Sequence, residues 1–192
     1  MKTIDSVRQE IIKDNQSFTN KGWEPIFRAH KDAKILIIGQ APGIKTQLEK
    51  EVFKDQSGDI LRSWMGIDEK IFYDSHSVAV LPMDFYFPGK AKTGDKPPRK
   101  DFAKKWHPKL IKLMPKVELI ILIGMYANKA YLKDKMESNL TKTVQNYQAY
   151  LPQYFTLVHP SPLNRRLMAK NPWFEKDVLP VFKKKVQSIL KD

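Results

Sequence analysis

The chain of 192 residues contains no cysteine. That absence excludes a disulfide scaffold, a cysteine nucleophile and any thiolate-held zinc or iron–sulfur site. Long apolar runs are also missing: none approaches the ~20 residues that span a bilayer, so no membrane association is expected. The opening segment, MKTIDSVRQEIIKD, is charged and amphipathic, and no secretory signal is expected there. Acidic residues are scarce beside basic ones, 21 Asp and Glu against 34 Lys and Arg, for a net charge of +13. What is present is enough for a core. Hydrophobic residues make up 42% and aromatics 11%, a composition that argues against disorder. The expectation is one domain over residues 1–192, in a soluble, monomeric, cytoplasmic protein.

The charge imbalance favours a polyanionic partner, through attraction and counterion release. A surface charged only for solubility is the plainer alternative. The excess is concentrated: residues 90–112 hold nine Lys or Arg and two Asp, a local +7. Lys183, Lys184 and Lys185 read instead as a solvated helix face.

Four short apolar runs are bounded by turn residues: Ile35–Ile38, Val78–Leu81, Leu119–Ile123 and Tyr154–Val158. Continuously apolar runs of this length are buried parallel strands. Helical patterning opens the chain, with Ile4, Val7, Ile11 and Ile12 on one face. Further helices are expected over Asp59–Met65, Arg99–Leu113, Met125–Lys135 and Asn171–Leu190. Pro172 suits the first turn of the last one, and Pro180 is a kink or break. Alternating strands and helices of this kind predict an α/β fold: a three-layer α/β/α sandwich around a four-stranded parallel sheet. The segment Phe85–Pro98 reads as a long loop, and such loops are usually functional.

Ligands of open parallel sheets sit beyond the carboxyl ends of the strands. The segments at those ends are Gln40-Ala41-Pro42-Gly43, Pro82-Met83-Asp84, Gly124-Met125-Tyr126 and His159-Pro160-Ser161-Pro162. GQAPG is neither a dinucleotide fingerprint, which needs three spaced glycines, nor a P-loop, which ends in Gly-Lys-Ser/Thr. There is no Gly-x-Ser-x-Gly elbow. His30, His76, His107 and His159 have no helical pairing. Neither a cofactor nor a metal is expected.

A strand ending in GQAPG and a final strand ending in HPSPL, about 120 residues apart, resemble the two-motif signature of the uracil-DNA glycosylase superfamily. HPSPLNRR is the sharper half. Between the motifs, EVFKDQSGDILRSW resembles the PFVGRAGxLL-type segment of the iron–sulfur-containing members. The resemblance spans Lys34 to Leu190 and implies hydrolysis of an N-glycosidic bond in DNA, on a base flipped out of the duplex. It assigns His159 to the leaving base, as a donor aimed where negative charge develops. It places Gln40 beside the base, and Phe53 under it as a stacking platform. Ala41, Pro42, Gly43 and Met83 belong to the same base-binding surface. Ser161 and Pro162 would pinch a phosphate, Leu163 would wedge into the duplex, and Arg165 and Arg166 would contact phosphates. Each has a plainer alternative: a strand-end histidine, core aromatic, packed loop leucine, helix cap or solvated charge.

Two departures bear on the chemistry. Classical members use the aspartate of GQDPY to position water, and Ala41 stands there; other branches have glutamate where Gln40 stands. The asparagine that reads the base is also not evident in LPMDFYFPG, which leaves Asp84 as a substitute catalytic base or base reader. An ionised aspartate only accepts hydrogen bonds, so at that position it would repel uracil O4. The leading reading is therefore a DNA glycosylase acting on a deaminated or damaged base, uracil the first candidate. A DNA-binding or damage-sensing homologue without hydrolysis is the alternative. A small-molecule α/β enzyme acting on a free nucleoside or other phosphate-bearing ligand is a third reading.

Overall fold

In the computed structural model, which describes residues 2–191, all four apolar runs are strands. These are β1 (Ile35–Ile38), β2 (Val78–Val80), β3 (Leu119–Ile123) and β4 (Tyr154–Leu157). They form one parallel sheet in the order β2-β1-β3-β4. Ile37 lies opposite Val80 on one side and Ile121 on the other, and Ile123 lies opposite Leu157. The strands are almost wholly apolar because helices cover both faces of the sheet; the exception, buried Thr156 of β4, donates its hydroxyl to Thr143 O at 3.2 Å.

Ten α-helices are described: α1 (Ile4–Asp14), α2 (Gln16–Thr19), α3 (Ile44–Glu49), α4 (Gln56–Met65), α5 (Glu69–Asp74), α6 (Phe102–Ile111), α7 (Gly124–Leu132), α8 (Leu140–Gln145), α9 (Arg165–Lys170) and α10 (Leu179–Lys191). Alternate strand residues divide the core. Ile35, Ile37, Val78, Val80, Ile121 and Leu157 meet Leu61, Trp64 and Met65 of α4, Phe72 of α5, and Phe182 and Val186 of α10. Leu36, Ile38, Ala79 and Leu122 meet Val7 and Ile11 of α1, Trp106 and Leu110 of α6, and Leu132 of α7. This is the expected three-layer sandwich. Each fully buried large side chain contributes about 1.5–3 kcal/mol by leaving water.

The helix ends follow local chemistry. Thr3 and Ser6 cap α1 reciprocally. Helix α4 starts three residues before its expected position because Asp55 caps it, accepting from Gly58 N at 3.0 Å, and it stops at Gly66 with φ +67°. Helix α6 starts later than Arg99, since Asp101 takes φ +62° and Arg99 is drawn inward to Asp84. Pro108 sits inside α6 without ending it. The break expected at Pro180 is a π-helical stretch, Phe174–Val178, that leads directly into α10. Its wider turns receive a proline that has no N–H for an ordinary i→i−4 bond. Short helices α3, α5 and α8 were not expected.

The strand order reverses around β1, which has β2 on one side and β3 on the other. Such a reversal opens a crevice at the carboxyl ends of the strands. The candidate site lies at that edge.

Candidate active site

A pocket of about 460 Å³ opens there, within the range of small-molecule sites. The turn after β1 supplies Gly39, Gln40, Ala41, Pro42 and Gly43; the turn after β2 supplies Pro82; the end of the β4 run supplies His159. Phe53, Asp55 and Ser57 come from the segment entering α4, and Lys45, Lys90 and Asp95 also line the pocket. Two motifs far apart in sequence thus share one cavity with the expected aromatic.

The walls are tied together through backbone. Gly39 O accepts from Met83 N at 2.9 Å, and Gln40 O accepts from Asp84 N at 3.2 Å. Phe53 is half-buried with φ +54°, and its ring meets Phe72 edge-on at 6.4 Å. Its loop is held by neighbours that sequence reasoning missed. Arg62, buried on α4, donates from Nη1 to Phe53 O at 2.9 Å and from Nη2 to Asp59 at 2.6 Å. Tyr73 donates its hydroxyl to Val52 O at 2.7 Å. Gln47 of α3 is buried and joins Glu24 O to Phe87 N, fixing the start of the 85–98 loop against the first motif.

His159 is half-buried. Burial pushes its imidazole below the ordinary value, and the negative charge of Asp55 partly offsets this. It is therefore neutral near pH 7, with one ring N–H to donate. Its backbone carbonyl accepts from Ser161 N at 2.8 Å and from Asn164 Nδ2 at 2.8 Å. Ser161 Oγ caps the following turn, accepting from Leu163 N at 3.2 Å. Ser161 and Pro162 thus build a turn whose tip is Leu163, 91% exposed. Arg165 and Arg166 follow, exposed, in the first turn of α9.

Gly43 has φ −71° and begins α3. A β-carbon there would be in ordinary contact with Asp95 Oδ2 at 3.7 Å, so no internal clash requires glycine at this position.

Two expected site residues lie elsewhere. Asp84 is wholly buried and does not line the pocket. Its Oδ2 accepts from Arg99 Nε at 2.6 Å and from Arg99 N at 3.1 Å; its Oδ1 accepts from Arg99 Nη2 at 2.8 Å and from Tyr86 N at 3.1 Å. With four hydrogen bonds upon it, this carboxylate pins the two ends of the 85–98 loop. Met83 lines a second cavity with His107 and Tyr131, not the pocket. His107 is buried, with Nε2 on Pro82 O at 2.9 Å and Nδ1 on the Tyr131 hydroxyl at 2.6 Å. Burial pulls its pKa down to about 4. A neutral ring that donates from Nε2 and accepts from Tyr131 fits both partners.

Among the described residues, no group of three or more His, Asp or Glu is placed to hold a metal ion, and no helix is long and apolar enough to cross a membrane.

The fold is an α/β/α sandwich with a pocket at the carboxyl edge of its parallel sheet, lined by the aromatic Phe53, the neutral His159 and the cations Lys45 and Lys90. A family model described as the uracil DNA glycosylase superfamily matches residues 27–183, and the chain belongs to that superfamily. Among solved structures the chain matches the solution NMR structure of a proposed uracil DNA glycosylase from Methanosarcina acetivorans at 14% identity, covering 82% of this chain and 93% of that one with a TM-score of 0.48.

Proposed function

We propose that the protein is a DNA glycosylase that hydrolyses the N-glycosidic bond of a flipped-out deaminated or damaged base, with uracil the first candidate. The carrying observation is that Phe53 and His159 line the same pocket as Gln40, Ala41, Pro42 and Gly43. Phe53 offers the extruded base a stacking face. His159, neutral and half-buried, donates to the base oxygen as charge grows there. Exposed Leu163 occupies the gap left in the duplex. The net charge of +13, with Lys45, Lys90, Arg165 and Arg166 around the site, suits a phosphodiester backbone.

The test is strand nicking, after alkali, of duplexes that each carry one uracil, hypoxanthine, xanthine or thymine mismatch. Cleavage at one of these, uracil foremost, is the expected result; intact strands throughout would sink the enzymatic reading. DNA affinity should fall steeply with salt, with a logarithmic slope near −0.9 per neutralised phosphate.

A second reading, a damage-binding homologue without hydrolysis, is favoured by Gln40 and Ala41, neither of which carries a carboxylate. It expects tighter binding to uracil-containing than to normal duplex, with no excision.

A further inference from the structure

Hydrolysis of a nucleoside bond passes through a sugar with oxocarbenium character. A carboxylate near C1′ stabilises that cation and orients the attacking water. The pocket contains two carboxylates, Asp55 and Asp95. Asp95 is neutralised in place by Lys90, Nζ to Oδ1 at 2.6 Å. Asp84 is sequestered by Arg99. Asp55 differs from both. It lines the pocket together with His159 and Gln40, and it forms no ion pair among the described residues. Its side chain is oriented, because Oδ1 accepts from Gly58 N at 3.0 Å, which leaves Oδ2 for a water. It is also solvent-exposed, so water reaches it without a channel.

We infer that Asp55 is the catalytic carboxylate of this pocket, holding the hydrolytic water at the mouth across from His159; this rests on the glycosylase reading above. In the reaction the C1′–N bond breaks and its electron pair leaves on the base, which His159 steadies through a hydrogen bond. The water oxygen bonds to C1′. The water proton passes to Asp55 and on to solvent, and the departed base takes a proton from solvent. The products are the free base and an abasic sugar bearing the new hydroxyl.

The charge of Asp55 acts on His159, holding the imidazole higher than burial alone would leave it. The two groups are therefore coupled across the cavity, with Lys45, Lys90 and Asp95 the other charged groups lining it.

The decisive variant is Asp55→Asn. Asparagine caps a helix as well as aspartate does, so α4 and the Phe53 loop persist while the charge and the proton acceptor are lost. Single-turnover excision should fall by ~10²–10⁴, with unchanged thermal melting and duplex affinity. The His159 imidazole, followed by NMR, should titrate at lower pH in the variant than in the parent. Excision by Asp55→Asn at the parental rate would overturn this assignment alone. So would abolition by Asp95→Asn with Asp55→Asn still active, which would give the role to Asp95. A parent inactive on every modified base would overturn the glycosylase reading and this assignment with it.

Discussion

A β-carbon at Gly58 would lie 1.7 Å from the carbonyl oxygen of Phe53. The contact is between two backbones, so no side chain can swing aside to relieve it. Gly58→Ala must displace either α4 or the Phe53 loop. Overpacking of this kind costs typically ~1–3 kcal/mol, and here the displaced segment carries a pocket wall. Thermal melting should drop by several degrees, and excision should fall more than the loss of folded protein accounts for. Parental excision by Gly58→Ala would separate Phe53 from the reaction.

Arg99→Ala leaves the wholly buried Asp84 carboxylate without its guanidinium partner. Removing the partner of a buried charge costs up to ~3–5 kcal/mol, because the remaining charge stays unpaired; Arg99 is itself about a third exposed, which places the loss toward the lower end. Urea denaturation should report a loss of that order. The loop from Phe85 to Pro98 should become the first segment cut by protease. A loss below about 0.5 kcal/mol would mean that this pair does not fasten the loop.

His107 makes stability depend on pH. Its folded pKa of about 4 lies below the ordinary value near 6.5, so the unfolded chain binds this proton more readily. Stability is then complete above about pH 6.5 and is lost as pH falls toward 4. The difference amounts to ~2–3 kcal/mol over that window. His107→Gln offers an N–H to Pro82 and an acceptor to Tyr131, and it should flatten this part of the curve measured by urea titration. Identical pH curves for parent and variant would refute the assigned neutral state.

His159→Ala removes the one neutral imidazole in the pocket. Loss of a preorganised donor typically costs ~10²–10³ in rate. Single-turnover excision should fall by that factor, with folding and DNA affinity nearly unchanged. Excision at the parental rate would mean that the leaving base is stabilised elsewhere.

Leu163, at 91% exposure, contributes little to the fold, so truncation is expected to leave melting unchanged. Leu163→Ala should slow processing of duplex more than of single-stranded substrate, since only duplex leaves a gap to fill. Equal slowing on both strands would exclude the wedge role.

Much of the architecture was legible because it rests on local pattern. Each strand is an apolar run, interrupted only by Thr156 in β4, and Val7 and Ile11 announce the buried face of α1. The short helices α3, α5 and α8 have six residues each, too few to show a helical period. The two glycosylase-like motifs were legible because each follows a strand directly, and parallel strands deliver their following residues to one edge of the sheet.

Asp84 and Met83 lie away from the pocket for one physical reason. Position just after a strand fixes the edge of the sheet but not the direction of a side chain. Pro82 reaches the pocket, Met83 the second cavity and Asp84 the interior. The partner that draws Asp84 inward, Arg99, lies fifteen residues on and gives no periodic signal. Sequence alone determined the layers, the parallel sheet and the meeting of GQAPG with HPSPL, because burial patterns and strand ends are local properties of the chain. Tertiary structure decided that Asp55 and Asp95 line the cavity and that Asp84 is locked away. A carboxylate's role depends on the donors that surround it, and packing brings Arg99 to Asp84 while Asp55, which lines the pocket, accepts from the backbone N of Gly58.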